Sequence, residues 1–352
     1  MFMSSLIRHI VPVPPHRAKG LVAEVYAQVN VEFSSIGPVV MMMSPSPELM
    51  AAGWSFMREA QLAGDVPALN KVIVALGAAQ ANGLDYDIQA FLSVLRLLGE
   101  PELADAVERG DAPADPRLAA LLRWAASTGV EGREPVEPPF SGEAAAEYLG
   151  TALFTHFVDR VAAAMLPAGL TPGSMDPDDE PPFDGAPVLR ELDQDLRRGA
   201  TLPLLEGLPT GTPPAWAAGL PIGTAYATLV ATAAQGAGLL TDAAATVVTQ
   251  VIAAHRGRRR TTADRLDAPP SVLPEQDAWL DEPLNGLSEQ ERPGARVAIL
   301  AGLAPEAITD EHVAAWRATD RRFSDHCTVF LLAYGAMTAV THVEADISPV
   351  PA

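Results

Sequence analysis

Hydrophobic residues recur every three or four positions in several segments of the chain, a spacing that places them on one face of an α-helix. The first such segment follows an irregular, proline-bearing N-terminal stretch and has Leu49, Trp54 and Met57 on its shared face. Ser46 stands where a hydroxyl can cap the first free amides of a helix. The pattern predicts a helix over 47–63.

The segment that follows, 67–80, is apolar nearly all round, which is typical of a buried central helix. The Asn82–Gly83 pair breaks it, and a helix predicted over 85–98 completes a helical hairpin with a very short connection. The same periodicity predicts further helices over 101–109, 116–128, 142–166, 188–198, 223–238, 241–255, 289–302, 309–319 and 324–345. These elements predict an all-α fold.

Two domains are expected, because 352 residues exceed the usual size of one hydrophobic core. The segment 167–187 is rich in proline, glycine and acidic residues and is predicted to be a linker. It separates a domain over 1–166 from a domain over 188–352. The long helix of each half carries a Thr–His pair, at 155–156 and at 341–342, which suggests a diverged internal duplication.

Charge and cysteine content narrow the possible functions. A formal net charge of −20 argues against binding to nucleic acid or to a membrane surface, since both normally require a basic face. The single cysteine, Cys327, excludes an intramolecular disulfide, and no Cys/His spacing indicates a metal site. The N-terminus lacks the apolar run of a signal peptide, and the longest apolar run, 329–340, is short for a bilayer span. We therefore expect a cytoplasmic protein whose partner is a small molecule.

The segment ALNKVIVALGAAQANGLDYDIQAF (68–91) resembles the core of the AhpD-like (alkylhydroperoxidase D / carboxymuconolactone decarboxylase) superfamily. In that core a buried helix and an asparagine-glycine break lead into a Cys-x-x-Cys-x-x-x-His helix start. Here the two cysteine positions and the histidine position read Leu84, Asp87 and Phe91, and Val72 stands where the family has a proton-relaying glutamate. Without a thiolate at this site, disulfide-cycling peroxidase chemistry is excluded there.

The resemblance also implies what remains possible. It implies two all-α AhpD-like domains, the second more diverged, and possible pairing into a homodimer. Carboxymuconolactone decarboxylases share this fold and work without a thiol pair, so the loss of cysteine does not exclude catalysis. The first hypothesis is a thiol-free lyase or isomerase without a cofactor, which acts on a small, largely apolar substrate by proton transfer in decarboxylation, isomerisation or cyclisation. The alternative is a non-catalytic ligand-binding or scaffolding protein.

Two residues of the second hairpin helix are the candidate catalytic groups. If Asp87 points into the cavity normally occupied by the second thiol, burial would raise its pKa toward that of a general base. Carboxylates at a helix start, such as Asp85 and Asp87, also commonly serve to satisfy free amides. Tyr86 is positioned to orient a substrate oxygen or donate a proton, or simply to pack the hairpin.

The candidate substrate-binding residues are Trp54, Leu84 and Phe91 around an apolar pocket, with His156 and Arg160 as holders of an anionic group. The last two are one helical turn apart, so both can face one cleft. With Asp159 beside them they can equally form a solvated, self-neutralising patch. A cavity of several hundred cubic ångströms faced by a buried Asp87 or Tyr86 would favour the enzyme, whereas a cavity filled by Phe91 would favour the scaffold.

Overall fold

The computed structural model describes residues 7–33, 36–133, 136–172, 196–259 and 277–348. Within these ranges the chain forms fourteen α-helices and no strand, which confirms the all-α prediction. The helices are α1 (Gly20–Glu32), α2 (Pro38–Met41), α3 (Pro47–Met57), α4 (Ala68–Asn82), α5 (Asp85–Leu97), α6 (Pro101–Glu108), α7 (Pro116–Ala126), α8 (Ala145–Met165), α9 (Pro221–Ala234), α10 (Asp242–Ala254), α11 (Asp281–Leu284), α12 (Arg292–Leu303), α13 (Asp310–Arg317) and α14 (Asp325–Ile347).

The helix predicted over 47–63 begins where expected but changes its winding. It is α-helical as far as Met57 and finishes in a π-helical turn over Arg58–Leu62. The capping role predicted for Ser46 is wrong, because its hydroxyl makes no bond to the helix amides and donates to the His326 carbonyl oxygen at 3.0 Å. Ser46 therefore links this helix to the start of α14.

The N-terminal stretch, predicted to be irregular, contains α1. Its sequence is rich in β-branched valine, has no side-chain cap and begins at a glycine, and all three features disfavour a helix in isolation. The helix is stabilised by tertiary contacts, because Val22, Val25, Tyr26 and Val29 lie on one buried face that packs against α3.

Two long helices form the centre of the molecule. In α8 all but two of the 21 residues are buried, and it packs against α4 on one side and α14 on the other. In the second half α12 packs closely on α14, while α3 and α9 connect the halves elsewhere. One continuous hydrophobic cluster thus includes residues from both sides of 167–187. The division into two domains and the internal duplication stay predictions.

The linker and the helix predicted over 188–198 lie largely outside the described residues, which leave out 173–195. Among the described helices, α14 is long and apolar enough to cross a membrane by length and composition alone. However, 72% of its most apolar window is buried inside the protein, and a central core helix passes the same test.

Candidate functional site

The turn between α4 and α5 sets the position of the candidate catalytic residues. Gly83 ends α4 in the left-handed conformation (φ 65°), which glycine adopts without strain, and the Leu84 amide then donates back to the Ala79 carbonyl at 3.3 Å. The chain reverses sharply at this point, and α5 starts with Asp85 exposed and Asp87 buried. The predicted hairpin is therefore present.

Three polar residues project from one face of α8 toward this hairpin. His156, Asp159 and Arg160 follow an i, i+3, i+4 spacing, and none of their surface is exposed to solvent. The alternative of a solvated surface patch is therefore wrong. Burial of an ionisable group costs free energy unless the group has a hydrogen-bond or charge partner. The hydrogen bonds of these three residues therefore decide which of them can be charged.

Asp87 and Asp159 are two buried carboxyl groups that lie close enough for each to shift the pKa of the other. The Oδ2 atom of Asp159 accepts from Asn82 Nδ2 at 2.7 Å, while its Oδ1 atom receives no hydrogen from any described nitrogen or hydroxyl. Burial raises the pKa of Asp87, and burial together with the neighbouring Asp87 charge raises the pKa of Asp159 well above its usual value. Two adjacent carboxylates cannot both ionise cheaply, so the pair retains a proton.

His156 lies beside this pair as a neutral ring. Burial, followed by the charge of Arg160, lowers its pKa well below 6.5. Asn82 donates its amide hydrogen to Asp159 and presents its oxygen to His156 Nδ1 at 3.0 Å. The Nε2 atom lies 2.7 Å from the Thr128 hydroxyl oxygen, and that hydroxyl donates to the Ala125 carbonyl at 2.7 Å.

Arg160 connects the cluster to the second half of the chain. Its Nε atom donates to the Gly302 carbonyl at 2.9 Å, and its Nη2 atom donates to the Gly257 carbonyl at 3.0 Å. Burial lowers the pKa of Arg160 to about 9, so it remains charged at neutral pH. With its donors engaged by backbone oxygens, Arg160 acts as an internal brace.

Arg259 comes from the second half and closes the other side of the site. Its amide donates to the Gly129 carbonyl at 2.8 Å, its carbonyl accepts from the Glu131 amide at 3.0 Å, and its Nη2 atom donates to Glu306 at 2.7 Å. Gly129 is in the left-handed region (φ 66°), and a Cβ atom there would meet the His156 ring at 2.7 Å. Only glycine therefore lets this loop pass between the ring and Arg259.

A cavity of about 530 Å³ lies over this cluster. Its walls are the 82–86 turn, the loop after α8, and four charged side chains that the fold brings from distant parts of the sequence, namely Arg8, Arg133, Arg259 and Glu306. The cavity has the volume expected for a small organic ligand.

The predicted site residues fall into different places. Leu84 and Tyr86 line the cavity, and burial raises the pKa of Tyr86, which keeps its phenol protonated at neutral pH. Asp87 is buried and is not among the residues that line the cavity. Phe91 packs half-buried against the core and is not part of the cavity lining.

The remaining predicted residues lie away from the cavity wall. Trp54 is buried in α3, where its indole nitrogen donates to Gln28 at 2.7 Å. His156 and Arg160 lie beneath the cavity rather than in its wall, so contact of either residue with a substrate stays a prediction.

Sequence reasoning missed the most informative partners. The sequence indicates Asp159 only as a neutralising neighbour of His156 and Arg160, and Arg259 is not among the predicted site residues. The i, i+3, i+4 spacing of polar residues in a helix that is otherwise apolar was a usable signal for Asp159. Nothing local in the sequence indicates that Arg259 reaches α8.

A second cluster of buried charge lies near the N-terminal end of α8, beside a larger cavity of about 740 Å³. The Lys71 ammonium is 2.6 Å from one Glu147 oxygen and donates to the Ala63 carbonyl, while Arg198 is 2.6 Å from the other Glu147 oxygen. Burial acts to raise the pKa of Glu147, but the hydrogen bond and charge of Lys71 outweigh it and the net shift is downward. Every charge described here thus has an opposite partner.

Comparison with known proteins indicates the family of the chain. The chain is 33% identical over 341 residues to a protein of Mycobacterium tuberculosis named alkyl hydroperoxide reductase Rv2159c, a match that covers 96% of this chain and 94% of the relative. No family model and no solved structure matches the chain. The extent and identity of this match, together with the all-α architecture, show that the chain belongs to the AhpD-like family.

Proposed function

We propose that this chain is a thiol-free AhpD-like enzyme that moves protons on a small, largely apolar organic substrate, in a decarboxylation, isomerisation or cyclisation. The observation that carries the proposal is the buried Asp87–Asp159 carboxyl pair, which is linked to a cavity of about 530 Å³ through Asn82, a residue that lines the cavity and donates to Asp159 at 2.7 Å. A carboxyl pair that shares one proton supplies both a general base and a general acid.

The neighbours of the pair support distinct roles. The protonated Tyr86 phenol in the cavity wall can donate a hydrogen bond to a substrate oxygen on which negative charge develops. Asn82 holds Asp159 in place, and His156 in turn orients Asn82. We assign His156 and Arg160 as positioning residues, since their bonds are all made within the protein.

Hydroperoxide reduction, which the name of the relative describes, requires chemistry that this chain does not carry at the hairpin. Reduction of a peroxide by a thiol pair needs an attacking and a resolving cysteine. Leu84 and Asp87 replace them, and Cys327 is the single cysteine of the sequence. Conservation of the fold with replacement of both thiols supports a changed reaction.

Solvent hydrogen exchange tests the proposal without knowledge of the natural substrate. We expect the protein to catalyse deuterium incorporation from D2O, measured by NMR, into members of a panel of small lactones, ketones and carboxylic acids with a hydrogen next to a carbonyl. Asp87→Asn should slow the exchange about 100-fold or more, the usual contribution of a general base. Asp105→Asn is the control, because Asp105 is exposed and does not line the cavity.

Two outcomes would contradict the proposal. Absence of exchange across the panel, with the cavity still able to bind its members, would favour the non-catalytic ligand-binding alternative. Consumption of an alkyl hydroperoxide with a dithiol, lost in Cys327→Ser, would show that the single cysteine performs the family reaction.

A further inference from the structure

We infer that the cavity over the 82–86 turn recognises a carboxylate group, so that the substrate is a small organic monoacid held by Arg8, Arg133 and Arg259. This inference rests on the proposed function and adds the chemical class of its substrate. It concerns residues from three distant parts of the sequence that only the fold brings to one wall.

The first support is the charge of the wall. The cavity is lined by three guanidinium groups and two carboxylates, those of Asp85 and Glu306, which leaves one net positive charge. The chain as a whole carries a formal charge of −20, with 24 basic residues against 44 acidic ones. A positive wall in so acidic a protein attracts an anion locally while the remaining surface repels it.

The second support is an unused donor. Arg259 is 6% exposed, and its Nη1 atom is buried without a hydrogen-bond acceptor among the described residues. Its Nη2 atom is already bonded to Glu306 at 2.7 Å. A buried guanidinium nitrogen without a partner is costly, and a ligand oxygen in the cavity would satisfy it.

The other two arginines keep free capacity in addition to their structural bonds. Arg8 donates one Nη2 bond to the Ile308 carbonyl at 2.8 Å, and Arg133 donates one Nη1 bond to the Ala126 carbonyl at 3.0 Å. A guanidinium carries five N–H donors, so each retains several donors that no described residue engages. Both side chains are anchored on backbone oxygens, which orients them without neutralising their charge.

A single net positive charge favours a carboxylate over a phosphate dianion. A dianion would leave the cavity with net negative charge beside Asp85 and Glu306, whereas a monoanion neutralises it. The apolar part of the wall, which includes Leu84 and Leu170, suits the hydrocarbon body of such an acid. Arg259 also lies close enough to the carboxyl pair for its charge to lower the pKa of Asp159, which places the bound acid near the proton-transfer groups.

A matched pair of probes tests the inference. We expect benzoate to bind to the full-length protein, measured by calorimetry or NMR titration, about tenfold or more tightly than its neutral, nearly isosteric amide benzamide. Arg259→Gln should weaken benzoate binding about tenfold and leave benzamide binding unchanged. Arg133→Gln, at an exposed position where folding is not at risk, should weaken benzoate in the same direction. Arg322→Gln, an exposed arginine paired with Asp320, is the control and should have no effect.

The outcomes separate this inference from the proposed function. Equal affinity for benzoate and benzamide, or benzoate affinity unaffected by both Arg259→Gln and Arg133→Gln, would overturn the carboxylate site. Tighter binding of inorganic phosphate than of benzoate would overturn the choice of anion. Arginine-dependent benzoate binding in a protein that catalyses no solvent exchange would support the site and refute the enzyme.

Discussion

One helix, α8, carries two clusters of buried charge that are built in opposite ways. Near its N-terminal end, Glu147 is matched by Lys71, Arg198 and two backbone amides, so that each of its oxygens has several donors. Farther along, Asp159 meets another carboxyl group and keeps an oxygen without a donor. The first arrangement offsets the free-energy cost of burying the Glu147 charge. The second leaves the cost of burying two neighbouring acids largely uncompensated.

This difference is a more useful guide to function than cavity size. The larger cavity lies beside the well-paired cluster, and the smaller one lies over the like-charged pair. Groups whose partners neutralise them contribute to stability, and groups forced to share a proton are poised for proton transfer. The candidate site is therefore assigned by how its charges are paired.

The largest expected effect is on the paired cluster. Glu147→Gln leaves the Lys71 ammonium buried without its counter-charge, and we expect the free energy of unfolding to fall by about 3–5 kcal/mol. Denaturant titration measures this. The control is Asp105→Asn in the exposed pair with Arg96, which should cost less than about 1 kcal/mol. Equal losses in the two variants would remove the distinction between the clusters.

The opposite sign is expected in the carboxyl pair. Asp87→Asn removes one of two competing acids, and we expect an unfolding free energy about 2 kcal/mol higher at neutral pH, together with loss of activity. A raised pKa means that the folded chain holds its proton above pH 3.8, where the unfolded chain releases it, so the wild type loses stability as pH rises through the native pKa. The gain in Asp87→Asn should therefore increase from acidic to neutral pH. A destabilised variant would show that the pair is structural.

A smaller effect concerns the neutral histidine of the same cluster. The native pKa of His156 lies well below 6.5. Just below pH 6.5 the His156 ring therefore binds a proton in the unfolded chain but stays neutral in the folded chain. Stability should thus fall as pH drops below 6.5, with a slope contribution of up to about 1.4 kcal/mol per pH unit. His156→Gln should lack this contribution, measured as a difference in slope between the two proteins. Identical slopes would mean that His156 is protonated in the folded state.

The sequence predicts most of the helices because their signals are local. The hairpin around Asn82 and Gly83 is present, and Thr309 caps α13 through a reciprocal bond with His312. The misses are cases where tertiary contacts outweigh local preference. Helix α1 depends on packing rather than propensity, and Ser46 bonds to a residue 280 positions away instead of capping its own helix.

The sequence predicts only part of the candidate site, for the same reason. The hairpin that carries the family resemblance indicates Asp87 and Tyr86, and in the structure Tyr86 lines the cavity whereas Asp87 is buried outside its lining. Asp159 and Arg259 are separated from Asp87 by 72 and 172 positions, and helix packing decides which of several acidic or basic residues lies near the hairpin. Periodicity can predict that a polar face exists, but it carries no information on what lies opposite.

The brace formed by Arg160 has a consequence for any attempt to divide this protein. One guanidinium from the first half satisfies the carbonyl oxygens of Gly257 and Gly302 in the second. If the two halves were expressed as separate fragments, each fragment would have polar atoms at the former contact without their hydrogen-bond partners. The native state would then form only when the two fragments reassociate. The bonds of Arg160 would thus form in a split version of the chain only when its two fragments reassemble.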